Sequence, residues 1–536
     1  GIEFFEQHGK TVDDAFSHYV FATYERAEET LRPLAAEWKL NRRAYMGQTV
    51  AHLGEDAVIN IEGNTEIYCS EIVGDKIDDQ VALLIMTRPK AYPLPDMRDE
   101  TEYDWAGLFA ENPGLAGLSP GQFTSAVWNA AIRDLEARRG MSQVYIEYCR
   151  DANITSIGYV KVRGGYDWER NRKDIFFDIC QPEDIKVDPA AKSGRPPRYI
   201  FNDIWMSAFE ASSMFRGNES EIAAAIEGKD EDRKIKSGGG KKETSKTDGL
   251  VLVVEGYFRD VSMKTIKTEK IVVDPVTGIE RAEIDTQEVP KYPNGRLVVF
   301  LPKVQHVLDD AAWTQREFPF VPFVPIPVSW SVYGKSMAGS LRHAQHMKDK
   351  VVQQHLANLS AGGVAKVFYE PGAVDDGALT NLVAEKIPVT HMGAVDFKSP
   401  VPIGTDCLNF SGFLDGEADR ISGIHAPSAG APSSAQSGRS ILALQSATNR
   451  IFRPPQDIFA DSLMKIWRIA GDLMLTTPGM YETGWVLRTT DDDGIPNVLP
   501  VGLSDITKSI DMRVDADTQM SADPEARFSM ATQLMQ

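Results

Sequence analysis

Residues 318–360 read FPFVPFVPIPVSWSVYGKSMAGSLRHAQHMKDKVVQQHLANLS. Pro319, Pro322, Pro325 and Pro327 fall every two or three residues in the first part, which blocks a helix and inner-strand pairing and leaves an extended segment. After Gly334 the pattern changes. From Ser336 to Ser360, Met337, Leu341, Ala344, Met347, Val351 and Leu356 recur at helical spacing, predicting a helix of roughly 37 Å at 1.5 Å per residue. That is the length of a strut.

On its C-terminal side, Gly362-Gly363 stop the helix and AKVFYEP opens a compact segment of short strands and turns running to about Thr405. A second helix is predicted over LNFSGFLDGEADRISGIH from Leu408, a third over RSILALQSATNRIF from Arg439, and a strongly amphipathic fourth over QDIFADSLMKIWRIAGDLMLTT from Gln456, with Pro454-Pro455 breaking the last two apart. Between the second and third lies His425-APSAGAPSSAQS-Gly438. It belongs to a stretch, Arg420 to Gln456, without aspartate or glutamate, in a chain of net charge -20. A small-residue loop flanked by Arg420 and by Arg439, Arg450 and Arg453 suits a flexible surface facing a polyanion.

On the N-terminal side, Thr11–Gln48 reads as helix interrupted at Pro33, Glu71–Arg88 and Gln122–Arg150 as further helices, and PLPDMRDETEYD from Pro93 as an acidic loop. At Ser156 the period changes to two. IGYVKVRGG and DIFFDIC form a hairpin near Tyr166-Asp167, and LVLVVEGYFRD, KTIKTEKIVVD and GRLVVFLPKVQHVLDD continue as an antiparallel meander. GKDEDRKIKSGGGKKETSKTDG from Gly228 has almost no apolar content and reads as a mobile loop. The end, from Gly484, reads as strands and one terminal helix.

At 536 residues the chain exceeds one ordinary core. No apolar run approaches the roughly 18 to 20 residues that span a bilayer and no signal peptide is visible, so the reading is a soluble, cytoplasmically made protein. The chain opens at Gly1 without methionine and stops within ADPEARFSMATQLMQ, as part of a longer product would. Cys69, Cys149, Cys180 and Cys407 form no CxxC pair, which points to neither zinc nor a disulfide framework. The excess of 77 acidic over 57 basic residues excludes a protein gripping nucleic acid over its whole surface, but not one that surrounds it.

No catalytic, metal or cofactor site is expected. Gly334-Lys335-Ser336 ends like a phosphate-binding loop, but Ser329 stands where that motif needs glycine, so a helix-start turn is the better reading. His343 and His346 share a helix face with only Asp349 as a further ligand at helical spacing. Asp491-Asp492-Asp493-Gly494 lacks the ligand alternation and closing glutamate of a calcium loop.

The order of segments, with the residues filling them, resembles the portal protein of tailed bacteriophages. RAEETLRPLAAEWKLNRRAYMGQ; DANITSIGYVKV followed by CQPEDIKVDPAAKSGRPPRYIFNDIWM; the 318–357 passage; SGIHAPSAGAPSSAQSGRSILALQSATNRIF; and the terminal SIDMRVDADTQMSADPEARFSMATQLMQ carry the likeness. The resemblance implies a multidomain α+β subunit of a dodecamer at one capsid vertex of the virion, assembled in the host cytoplasm. Double-stranded DNA would pass through the ring. The wing would be 1–335, with a helical layer over 1–155, an antiparallel sheet over 156–335 and the mobile loop 228–248. Then follow a first stem helix 336–360, a small mixed clip 361–407, a second stem helix 408–424, a tunnel loop 425–438, helices 439–483 leading to a helical crown, and a segment 484–536 returning toward wing or crown.

Terminase, head-tail adaptor, and major capsid and scaffolding proteins are the implied partners, with no membrane. Arg420, His425, Ser428, Ser433, Ser434, Gln436 and Arg439 become the candidate tunnel-loop residues. Arg342, His346 and Lys350 become the stem residues facing the channel or a neighbouring subunit. Sliding requires that phosphates not be held tightly, because each retained ion pair adds a release step, and an acidic wall with few cations meets that need. The alternatives are a capsid-associated scaffold or adaptor without DNA contact, and a packaging enzyme; the missing phosphate loop speaks against the latter.

Overall fold

The computed structural model describes residues 14–48, 68–86, 91–95, 120–192, 195–226, 249–273, 280–362, 366–369, 395–398, 406–424, 438–476, 485–490, 496–501 and 510–514. In chain order these form α1 (Asp14–Tyr45), α2 (Ile72–Met86), β1 (Ala91–Pro95), α3 (Pro120–Arg138), α4 (Met141–Thr155), β2 (Gly158–Asp167), β3 (Arg172–Cys180), β4 (Ile185–Val187) and β5 (Tyr199–Ser207). Next come α5 (Ala208–Met214), α6 (Glu219–Ala225), β6 (Leu250–Phe258), β7 (Met263–Val273), β8 (Glu280–Pro290), β9 (Arg296–Leu301), β10 (His306–Ala312) and β11 (Phe320–Phe323). The chain continues with α7 (Met337–Gly362), β12 (Lys366–Tyr369), β13 (Val395–Lys398), α8 (Asp406–Ser422), α9 (Gly438–Thr476), β14 (Trp485–Thr490), β15 (Pro496–Val501) and β16 (Ile510–Val514). The architecture is mixed helix and antiparallel sheet, divided into two compact units.

The first unit comprises residues 1–37, 81–336 and 452–536. Its main sheet has the order β10-β9-β6-β5-β4, every neighbour antiparallel. Val20, Phe21, Tyr24 and Ala27 of α1, spaced on one helical face, bury against Tyr199, Phe201, Val254, Phe258, Val298 and Phe300 of the sheet. The rings pack edge to face, Phe21 on Phe300 with centroids at 5.3 Å and Tyr24 on Phe201 at 5.4 Å. A second sheet, β11-β2-β3, receives the proline-rich segment as its edge strand, with Phe320 opposite Lys161 and Phe323 opposite Gly158. Phe323, Tyr148 of α4 and Phe459 of α9 meet beneath it at centroid distances of 5.3 to 6.4 Å.

Several elements differ from the sequence reading. The strands do not form one meander: β7 and β8 pair with each other as a separate ribbon, so β6 is joined directly to β9. GRLVVFLPKVQHVLDD divides into β9 and β10. The helix expected over 122–150 is two, split where Gly140 takes φ 59°, a left-handed conformation that stops a helix. Conversely, α1 runs through Pro33 and α9 through Pro454 and Pro455. Pro33 is exposed, so the carbonyl it strips of a donor meets water, and buried Leu31 and Trp38 anchor the helix on either side. Phe452 and Phe459, both buried, do the same around the proline pair. PLPDMRDETEYD begins inside a strand rather than a loop, since β1 pairs antiparallel with β16, Ala91 opposite Val514. A two-stranded sheet is all edge, which accommodates Pro93 and Pro95. The expected loop over 228–248, the Asp491–Gly494 turn and the terminal helix lie outside the described residues.

Candidate channel and interface elements

The strut begins at a turn the glycine-lysine-serine motif builds. Gly334 has φ 67°, and a Cβ there would sit 2.3 Å from Val324 Cγ1 and 2.7 Å from Ile326 O. Only glycine fits. Lys335 N donates to Ile326 O at 2.9 Å, and the buried Ser336 hydroxyl donates to Ile154 O at 2.7 Å, at the end of α4. The motif positions a chain reversal, and its serine is committed to that task.

The second compact unit, residues 38–80 and 337–451, contains α7 and α8. The apolar stripe expected along α7 is only partly buried: Met337, Leu341 and Ala344 are inside, while Met347 and Leu356 are exposed. Past Ala344 the buried face is polar. Gln345, fully buried, accepts from Val73 N at 2.7 Å and donates to Ala44 O at 2.9 Å. Asp349, also buried, accepts from Ser70 N at 2.8 Å and from the Ser70 hydroxyl at 2.6 Å. Gln353 accepts from Tyr68 N at 3.1 Å. The Gln345 bonds go to the last turn of α1 and the first turn of α2, where helices leave backbone groups unsatisfied, and those of Asp349 and Gln353 go to the segment leading into α2. One row of α7 residues, four apart, therefore holds the end of α1 and the approach to α2.

Lysines fasten α8. Lys348 pairs with Asp415 at 2.5 Å, and Lys76 of α2 with Asp419 at 2.6 Å while donating to Ile424 O at 3.1 Å. The opposite face of α8 is uncovered among the described residues. Phe410 and Phe413 stack there with centroids at 6.1 Å, Phe413 63% exposed, and a Cβ on Gly412 or Gly416 would meet nothing within 4 Å.

The candidate residues distribute unevenly. Arg342 donates to the buried Asn41 Oδ1 at 2.9 Å, so its head is directed to α1. His346 is half-buried; Lys350 and His343 are exposed on α7. Asp349, the only acid at helical spacing from His346, is turned into Ser70. Arg420 is 73% exposed at the end of α8 but pairs with Glu417 one turn earlier, its Nε at 2.9 Å from the carboxylate. That bond holds the Glu417 carboxyl below the usual range and moves the Arg420 guanidinium further up. Arg439 lies in the first turn of α9. His425, Ser428, Ser433, Ser434 and Gln436 lie outside the described residues. Sequence reading missed the anchoring role of Gln345, Asp349 and Gln353, because polar residues four apart on a helix read as a solvated face.

Beyond the α7–α8 pair, the described part of residues 361–407 includes the β12–β13 pairing, Lys366 opposite Lys398. Residues 120–536, more than three quarters of the chain, match the family model described as Phage P22-like portal protein. The protein is thus of the phage portal class. More particularly, it belongs to the P22-like portal protein family. Among solved structures, a chain from the neck of an empty GTA particle computed with C6 symmetry aligns over 86% of this chain and 85% of its own length, at 10% identity and a TM-score of 0.37. No curated protein matches the sequence. No described helix is long and apolar enough to cross a membrane.

Proposed function

We propose that this protein is the subunit of a dodecameric portal ring at one capsid vertex, through which double-stranded DNA is packaged and ejected. Family membership over residues 120–536 is the observation that carries the reading. The ring is structural and not an enzyme, and it docks terminase during packaging and the head-tail adaptor afterwards. In this assignment 1–335 is wing, 336–360 and 408–424 are the stem helices, 361–407 is the clip, 425–438 the tunnel loop and 439–483 the approach to the crown, with 484–536 returning toward wing or crown.

The physical chemistry supports it. A channel wall must stay rigid while DNA moves past, and α7, 26 residues or roughly 39 Å long, is held by buried hydrogen bonds and by a lysine pair to α8. The acid-free run from Ile421 to Pro455 places weak positive charge in an acidic chain, giving contact without retention. Native mass spectrometry and class averages of the purified protein test the proposal. A ring of uniform subunit number with a central hole supports it. Monomers across all salt concentrations overturn it, and a protein-only complex with capsid components favours the scaffold or adaptor reading.

A further inference from the structure

The β7–β8 ribbon is the least explained part of the fold. Its strands pair over eleven residues each, Met263 opposite Pro290 through Val273 opposite Glu280, spanning roughly 37 Å. Among the described residues neither outer edge carries a ladder to any other strand. A lone two-stranded ribbon is marginal in water, and open edges invite pairing with another chain.

The charges along the two strands are sorted. β7, MKTIKTEKIVV, carries Lys264, Lys267 and Lys270 against Glu269 alone. β8, ERAEIDTQEVP, carries Glu280, Glu283, Asp285 and Glu288 against Arg281 alone. Yet the register puts only one opposite pair face to face, Lys270 with Glu283; Lys264 faces Val289, Lys267 faces Thr286, Asp285 faces Thr268 and Glu288 faces Thr265. The sorting of charge between the two strands decides which edges can meet. A basic edge repels a basic edge and an acidic edge an acidic one, so two-fold pairing of like strands is disfavoured. The β7 edge of one copy against the β8 edge of the next is favoured.

We propose that these ribbons join edge to edge between neighbouring subunits, β8 of one copy adding to β7 of the next. Because β7 and β8 of one chain are antiparallel, copies related by rotation about a ring axis bring β8 antiparallel to the next β7, continuing the same ladder. Such a contact is heterologous, the kind that generates rings. The inference rests on the ring reading and adds the surface through which neighbours bind.

Two charge variants test it. Lys264→Glu with Lys267→Glu and Lys270→Glu makes both strands acidic; Glu280→Lys with Glu283→Lys, Asp285→Lys and Glu288→Lys makes both basic. Each variant alone should assemble at least about tenfold more weakly than wild type, and an equimolar mixture should restore rings containing both in equal number, read by native mass spectrometry. Rescue by mixing leaves the like-charged strands within each chain unrelieved, so it reports only contact between chains. Hydrogen exchange on the wild type is the second measurement: amides of 263–273 and 280–290 should slow at least about tenfold on passing from monomer to ring. Rings from either variant alone at wild-type efficiency, a mixture that stays unassembled, or wild-type rings whose ribbon exchanges as in the monomer overturn the proposal while leaving the portal reading intact. A wild type that forms no ring removes both.

Discussion

Asp349 of α7 accepts two hydrogen bonds from Ser70, one from its backbone N–H at 2.8 Å and one from its hydroxyl at 2.6 Å, with both residues buried. Ser70 lies two residues before α2 begins, so a carboxylate 279 positions away orders the entry to that helix. Asp349→Ala would leave two buried donors without an acceptor. We expect it to cost about 3 kcal/mol, with Asp349→Asn losing less because its carbonyl keeps one bond. Urea unfolding of the two variants measures this, and equal, small losses would show that Asp349 does not anchor α2.

Gln345 lies one turn before Asp349 and holds Val73 N and Ala44 O at once. Replacement by methionine keeps the volume and orphans both backbone groups. About 2 kcal/mol of destabilisation is expected. Because both residues secure the start of α2, the double variant should lose less than the sum of the singles, by at least about 0.5 kcal/mol in a double-mutant cycle. Additive losses would mean that the two contacts act on separate structures.

Gly416 interrupts α8 at a position where an added Cβ meets nothing within 4 Å. Gly416→Ala should therefore stabilise the isolated subunit by about 0.5 to 1 kcal/mol, the cost of glycine's extra freedom inside a helix. A denaturation midpoint that falls instead would indicate that α8 is not helical through this position.

The long amphipathic elements were readable because burial imposes a period: the α1 face, the hairpin of β2 and β3, and the strut after Gly334 all appear where the pattern puts them. Proline misled twice. Its local preference predicted breaks at Pro33 and at Pro454-Pro455, but solvent at Pro33 and buried aromatics flanking the second site outweigh the lost hydrogen bonds. The pairing of β1 with β16, more than 400 residues apart, has no local signal. Nor does the buried role of Gln345 and Asp349. On a helical wheel they read as a solvated face, and only the end of α1 and the chain entering α2 supply the partners that bury them.

Arg420 is exposed and its bond to Glu417 lies within one helix turn, so its removal should leave the subunit's thermal midpoint unchanged. Arg420→Glu places like charges one turn apart and reverses the sign nearest the acid-free loop. With ring formation intact, we expect reduced DNA packaging in an in vitro packaging assay and a smaller loss for Arg420→Ala. Wild-type packaging by both variants would remove Arg420 from the channel.

Acid should loosen the first compact unit through Asp188. Burial alone would raise this carboxyl, but the Arg198 guanidinium, at 2.6 and 3.1 Å, and Ala190 N at 3.0 Å outweigh it and hold the carboxyl below the usual aspartate value. The folded state therefore binds the proton less readily than the unfolded chain. The stabilisation is present above the unfolded value, near pH 4, and drains away as the pH falls through the folded one. Asp188→Asn cannot make that exchange. Its thermal midpoint should lie below wild type at about pH 7, and the gap should narrow toward about pH 3. Scanning calorimetry across that range reads the difference directly, and a gap that stays constant or widens in acid would show that Asp188 is not held in its ionised form by Arg198.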